Sequence, residues 1–211
     1  MELVTKINWV DVLVIIIMAR LSYVAFQDGL SHEIFPLLGS IFTVIFSIQY
    51  YHKIAYSIYQ YIAKVPIVIL DFITFSVLVI ATGFIFKFIK VLLDKIIKVT
   101  WHPLIEKFGG VITGIIRASI VTSTVLIILA LIPLPYLQWS IRDRSLTGMY
   151  FFNIGPEIYI KASSFLPVTK IEDEPLTRDS LVRTLLSEKT LEVKKDAKKR
   201  KKRSSWEDEI K

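Results

Sequence analysis

Long apolar runs separated by short polar segments fill the first two thirds of the chain. Each run has about seventeen residues or more, and at a rise of about 1.5 Å per residue that is the shortest length that crosses a hydrocarbon core of about 30 Å. The pattern predicts an all-α, polytopic membrane protein. Its four transmembrane helices are predicted at Val10–Phe26, Ile34–Tyr50, Pro66–Phe86 and Val111–Ile132.

The amino-acid composition indicates the same class of protein. Hydrophobic residues make up 53% of the 211 residues, charged residues make up 21%, and the mean hydropathy is +0.54. These values are too apolar for an ordinary soluble domain of this length. Cysteine is absent, which excludes disulfides, thiolate metal sites and cysteine nucleophiles.

The first apolar run could instead be a cleaved signal peptide. Two charges, Asp11 and Arg20, interrupt it, no small-x-small cleavage site follows it, and further apolar runs come after it. We therefore expect a retained helix. A short loop is predicted over Gln27–Glu33, where Gly29 can adopt the left-handed conformation that reverses the chain.

Beyond the third run, charged residues recur at three- and four-residue steps against apolar ones. This spacing predicts an amphipathic interfacial helix that lies flat in the headgroup layer, with Lys87, Lys90 and Lys98 on its polar face. A short surface helix is also predicted over Met149–Leu166, where a Gly-Pro pair breaks the segment.

The chain ends in a polar, basic segment. Sixteen of the 26 Lys and Arg residues lie from position 142 onward, so much of the net charge of +7 belongs to this part. A brief amphipathic helix is predicted at 181–186, and the block 194–203, with eight basic residues and one acid, is predicted to be disordered. The chain thus divides into a transmembrane domain at 7–167 and a mostly disordered tail at 168–211.

Basic side chains beside a membrane are attracted to anionic lipid headgroups. We expect them at Lys87, Lys90 and Lys98 and at the basic tail. Nucleic acid is not expected, because no aromatic residue interleaves the basic block. Lys and Arg residues near the span ends are balanced between the two faces, so the orientation in the membrane stays open.

Four ionisable residues lie within the predicted spans: Asp11, Arg20, Asp71 and Arg117. A charge at the bilayer centre costs about 2.5 to 3.5 kcal/mol on insertion scales, so each is a candidate functional group. One interpretation is an ion or proton path. The other, which we favour, is buried structural hydrogen bonding together with snorkelling of the two arginines to the interface.

Small side chains recur at every fourth position in the second run and again where the fourth run begins. Such stripes allow a neighbouring helix to approach closely. The neighbour can belong to the same chain, which we favour, or to a second copy or another membrane protein. The residues are Gly39, Thr43 and Ser47, and Gly110, Gly114 and Ala118.

No catalytic constellation is recognisable in the sequence. His32, His52 and His102 stand apart without the HExxH spacing, and neither GxxxxGK[ST] nor GxSxG occurs. We therefore expect no enzyme activity, no cofactor and no metal site.

Three short motifs lie at the starts of the first and fourth spans and in the first hairpin. The motifs are Asn8-Trp9-x-Asp11, Gly29-x-x-x-Glu33 and Glu106-Lys107-x-x-Gly110-x-x-x-Gly114-x-x-Arg117. In order and spacing they resemble the colicin V production (CvpA) family of bacterial inner-membrane proteins, over about residues 7–167. Asp28 stands where that family commonly has arginine, and Ala118 where it usually has glycine.

The resemblance implies a small multi-pass protein of the bacterial inner (plasma) membrane that is required for colicin V production where that toxin is made. The corresponding expectation is an accessory role in toxin production or export, or in maintenance of the cell envelope. The alternative is a minimal ion or solute channel or transporter that uses the intramembrane Asp and Arg residues.

Overall fold

Four long helices account for most of what the computed structural model describes, residues 8–61, 65–96 and 102–163. Each is long and apolar enough to cross a membrane, and no strand occurs within these residues. The predicted all-α fold with four transmembrane helices is confirmed. The helices are α1 (Trp9–Asp28), α2 (Leu30–Tyr61), α3 (Ile67–Ile96) and α4 (Pro103–Leu131).

Local signals place the helix ends. The Asn8 side chain accepts the backbone N–H of Asp11, and the Asp11 carboxylate accepts the N–H of Asn8 at 3.0 Å, so the two residues form a capping box at the start of α1. The Asn8 side chain also accepts the N–H of Trp9 at 2.8 Å. Pro103 begins α4, where its missing N–H leaves no bond unmade. The same helix ends two residues before Pro133, because proline cannot continue the hydrogen-bond pattern.

A short connection follows α4 and leads into a sixth helix. It consists of α5 (Pro135–Trp139) and a π-helical turn (Ser140–Arg144), and α6 (Gly148–Ser163) comes after it. The connection passes the start of α1, where the Asn8 amide donates to the Ser140 carbonyl at 2.9 Å.

Helix α4 lies at the centre of the bundle and packs against α1, α2 and α6. Helix α3 packs mainly against α2 and touches α4 much less. The core lies between α2, α4 and α6, with contributions from α1 and α3. Its fully buried side chains include Val44, Ile48, Phe75, Leu126 and Phe152.

The predicted loop at Gln27–Glu33 is wrong. Helix α1 extends to Asp28 and α2 begins at Leu30, so Gly29 alone connects them, with φ +82°. A single left-handed glycine is sufficient to reverse the chain, as the sequence indicated for this position. The prediction failed because polar residues were assigned to a loop, whereas Glu33 lies buried within α2.

The separate amphipathic interfacial helix is not observed as such. Its described part, which carries Lys87 and Lys90, continues α3 to Ile96. The segment contains no glycine or proline after Gly83, so nothing in it interrupts the helix. Lys98 lies outside the described residues.

The predicted surface helix at Met149–Leu166 is helical but not superficial. Phe152 and Tyr159 of α6 are fully buried, and the helix continues through Gly155 and Pro156. The predicted tail at 168–211, with its brief helix at 181–186, lies outside the described residues.

Candidate functional site: a buried ion pair beside a cleft

The bundle contains an ion pair between α2 and α4. A guanidinium nitrogen of Arg117 donates to Glu33 Oε1 at 2.7 Å. The Glu33 side chain is fully buried, and that of Arg117 is 23% exposed. The second carboxylate oxygen, Oε2, is buried without a hydrogen-bond partner among the described residues. Because removing either partner leaves a buried charge unpaired, the two residues depend on each other.

A second acidic side chain holds the start of α2. Glu106 of α4 accepts the backbone N–H of Ser31 at Oε1, at 2.9 Å, and the Ser31 hydroxyl at Oε2, at 3.0 Å. The first N–H groups of a helix have no partner within the helix, and its positive dipole end favours a carboxylate. Glu106 therefore brings the start of α4 to the start of α2, at Ser31, two residues before Glu33.

The glycines of α4 allow this approach. A Cβ on Gly110 would lie 2.6 Å from the Ala25 carbonyl oxygen of α1, and one on Gly114 would overlap the Ala25 Cβ. Ala118, one step further, is fully buried. The structure thus places this stripe against α1 of the same chain, as small-residue stripes permit.

The second stripe lies inside the bundle on α2. A Cβ on Gly39 would lie 2.9 Å from the Cβ of Phe86, so α2 and α3 are in close contact there. Thr43 is buried and donates its hydroxyl to the Gly39 carbonyl at 2.7 Å, within its own helix. Ser47 is fully buried.

A cleft of about 690 Å³ lies between α2, α3 and α4, with the end of α1 at its border. One end is charged and includes Arg117. The other end is apolar and lies between α3 and the second half of α4. The charged residues that line it are Asp28, Lys87, Lys90, Asp94 and Arg117, and its apolar lining includes Val79, Val121, Val125 and Ile128.

Asp11 is held by the connection between α5 and α6. Its Oδ1 accepts the Ser145 hydroxyl at 2.7 Å, the Thr147 hydroxyl at 2.8 Å and the Thr147 N–H at 3.0 Å. The Leu146 N–H lies 3.4 Å from Oδ2, which also accepts the Asn8 N–H of the capping box. One carboxylate thus ties the start of α1 to the chain that leaves α4.

The other two candidate charges have different surroundings. Asp71 of α3 is buried, and its Oδ1 lies 3.1 Å from His52 Nδ1 of α2. Arg20 is exposed on α1 and forms no ion pair with any described residue. Three of the four predicted intramembrane charges are therefore bonded within the chain, each to a different partner, and the structure does not bring the four together.

Several functional contacts were missed by the sequence reasoning. Glu33 was treated as a loop residue, although the opposite charge of Arg117 was available as a signal for a pair. His52 was considered only as an isolated histidine. No local pattern points to Ser145 as a partner of Asp11, or to Ser123 of α4 as a donor to the Phe152 carbonyl of α6. Within the described ranges, no three His, Asp or Glu side chains converge on a point where a metal ion could be held.

The four apolar spans, with their buried charges bonded inside the bundle, define a multi-pass helical membrane protein. A model of the family described as Colicin V production protein matches residues 10–170. The chain belongs to this family. No curated protein and no solved structure matches it.

Proposed function

We propose that the protein is an accessory factor of the bacterial inner membrane that acts in toxin production or export, or in maintenance of the envelope. It acts through contacts with other membrane components and not through catalysis. The observation that carries the proposal is the family match over residues 10–170, which covers all four apolar spans.

The bonding of the buried charges supports this proposal over a transport path. Asp11, Asp71 and Arg117 each have a partner in the same chain, and such partners offset the cost of a charge in the membrane. A continuous ion path would need acceptors free to exchange ions. The bonded carboxylates instead connect helix to helix.

The outer face of α3 is the surface proposed for contacts with other membrane components. Val77, Ile80 and Phe84 are 57%, 58% and 67% exposed, so this face is covered by lipid or by another transmembrane helix. At its charged end, Lys87 and Lys90 are proposed to contact anionic headgroups.

Photo-crosslinking in native membranes tests whether a membrane protein contacts the outer face of α3. A photoreactive residue at Ile80 should form a reproducible adduct of one mass with a membrane protein. The same residue at Ile48, which is 2% exposed, is the matched control and should not. Absence of any adduct from Ile80, Val77 and Phe84 alike would count against a protein partner.

Deletion of the gene tests the proposed role in toxin secretion or envelope maintenance. Removal of the gene should reduce secretion of a colicin V-type toxin from cells that carry one, or raise the uptake of a membrane-impermeant dye. Expression of the full chain should restore both. A deletion strain that matches the parent in secretion and in dye uptake would contradict the proposal.

A further inference from the structure

We propose that the cleft between α2, α3 and α4 is a binding site for one anionic phospholipid. Its acyl chain lies between α3 and α4, and its phosphate lies at Lys87, Lys90 and Arg117. This inference deepens the headgroup contact proposed above for Lys87 and Lys90, and it does not depend on the accessory role in toxin production or the envelope.

The dimensions of the cleft fit a single lipid chain. Arg117 and Ile128 both line it and are eleven residues apart on α4, which corresponds to about 16 Å along a helix. That distance is about half of a hydrocarbon core of about 30 Å, which is long enough to hold much of one acyl chain. The volume of about 690 Å³ is within the range of small-molecule sites.

The polarity of the cleft changes along its length as that of a lipid does. Its apolar end is lined by Val79, Val121 and Val125. Its charged end carries three cations, Lys87, Lys90 and Arg117, against two carboxylates, Asp28 and Asp94, so cations are in excess there. Because α3 touches α4 much less than it touches α2, these two helices leave room between them for an acyl chain.

The cations at the charged end retain donors for a phosphate. Neither Lys87 nor Lys90 forms an ion pair within the described part of the chain, and the nearest partner of Asp94 is His32, at 3.7 Å. Arg117 uses one nitrogen for Glu33, and a guanidinium has five N–H donors. Arginine binds phosphate through paired N–H donors and lysine binds it as a point charge, so the three side chains together suit a phosphate group.

Gly83 is the observation that separates this cleft from a packing gap. It lines the cleft in the middle of α3, and a Cβ built on it meets nothing within 4 Å. Glycine inside a helix is destabilising relative to alanine, and no close contact requires it here. A methyl group at this position would enter the open space of the cleft without displacing a neighbour, yet the chain has glycine there.

Native mass spectrometry of the full-length protein in mild detergent tests the site. The probes are phosphatidylglycerol, phosphatidylcholine with the same acyl chains, and inorganic phosphate. We expect one retained phosphatidylglycerol, with affinity at least tenfold above that for phosphatidylcholine and for inorganic phosphate.

Two variants locate the lipid in the cleft. Gly83→Phe fills it and should lower phosphatidylglycerol binding at least tenfold. Ala81→Phe, on an exposed position of the same helix outside the cleft, should leave binding unchanged.

Lys87→Gln with Lys90→Gln should lower phosphatidylglycerol binding about tenfold and leave phosphatidylcholine binding unaltered, since each lysine contributes modestly to anionic lipid attraction.

Three results would contradict the proposed lipid site. They are equal affinity for the two lipids, equal affinity for inorganic phosphate and the lipid, and wild-type binding by Gly83→Phe. If Gly83→Phe does not fold, the double lysine variant decides, because its substitutions leave the buried pair and the helix packing intact. Loss of lipid binding leaves the crosslinking and deletion tests untouched, so the two proposals can fail separately.

Discussion

Buried carboxylates in this protein take partners of three different kinds. Asp11 accepts hydroxyl and amide hydrogens, Glu33 accepts a guanidinium hydrogen, and Asp71 lies beside an imidazole. In lipid, a polar group without a hydrogen-bond partner destabilises the fold more than it does at a hydrated surface. The fold therefore depends on each of these partners. Substitutions at these residues therefore measure how much single contacts stabilise the bundle.

Replacement of Asp11 by Asn should destabilise the fold by about 1 to 3 kcal/mol, because an amide puts donors where two oxygens now accept five hydrogens. The loss is measurable as a lower Tm in detergent. Asp28→Asn, at an exposed position on the same helix, serves as the control and should shift Tm little. Equal Tm values for Asp11→Asn and the parent would show that this carboxylate does not hold the connection.

Either single substitution, Glu33→Gln or Arg117→Gln, should cost about 3 kcal/mol, since it leaves a buried charge without its partner. The double variant should cost less than the sum of the two, because both charges are gone and the two amides can bond to each other. Unfolding by SDS titration of the four proteins gives the coupling free energy. Strict additivity would mean that the pair is not formed in the membrane.

At the scale of helices, α6 continues through a sequence that should interrupt it. Pro156 has no N–H to donate to the carbonyl four residues earlier, that of Phe152. The Ser123 hydroxyl of α4 donates to this carbonyl at 3.1 Å and accepts the N–H of Gly155 at 2.8 Å. One side chain from a neighbouring helix thus restores two backbone bonds, as serine does for proline in membrane helices.

Ser123→Ala should therefore destabilise α6 by about 1 to 3 kcal/mol and increase amide exchange around Gly155, because two buried backbone groups lose their partner. Thr124→Ala is the matched control, since the Thr124 hydroxyl bonds only to its own helix, at Ile120. Adding Pro156→Ala to Ser123→Ala should recover much of the loss by restoring the missing N–H. Equal exchange rates in the Ser123 and Thr124 variants would contradict the bridging role.

Across the whole molecule, contacts between helix ends show which of these ends lie on the same side of the membrane. The start of α1 meets the connection after α4, and the end of α1 meets the start of α4. Alternating spans therefore place the α2–α3 connection and the segment after α4 on one side. The end of α3 and the start of α4 lie on the other side.

Single-cysteine labelling can check this arrangement directly, because the chain has no cysteine of its own. A membrane-impermeant maleimide should label Val65→Cys and Tyr136→Cys from the same side and His102→Cys from the opposite side. Intact cells and inverted vesicles should give reciprocal patterns, which also fixes the orientation that the lysine distribution leaves open. Labelling of all three from one side would exclude four spans.

Prediction from sequence was most successful where the signal is local. Run length gave the four spans, and Gly29 marked the left-handed reversal. It failed where a polar or helix-breaking residue acquires a distant partner. Glu33 was assigned to a loop, and the Gly155-Pro156 pair to a break in a surface helix, although both lie inside the bundle.

By itself the sequence determined that the chain is helical and spans a membrane four times, because hydrophobic length and helix-end signals act within a few residues of one another. Only the tertiary structure decided which partner satisfies each buried polar atom and where a cleft stays open. Glu33 and Arg117 are 84 residues apart, and Asp11 and Ser145 are 134 apart. Contacts over such separations exist only after the helices have packed, so no local pattern specifies them.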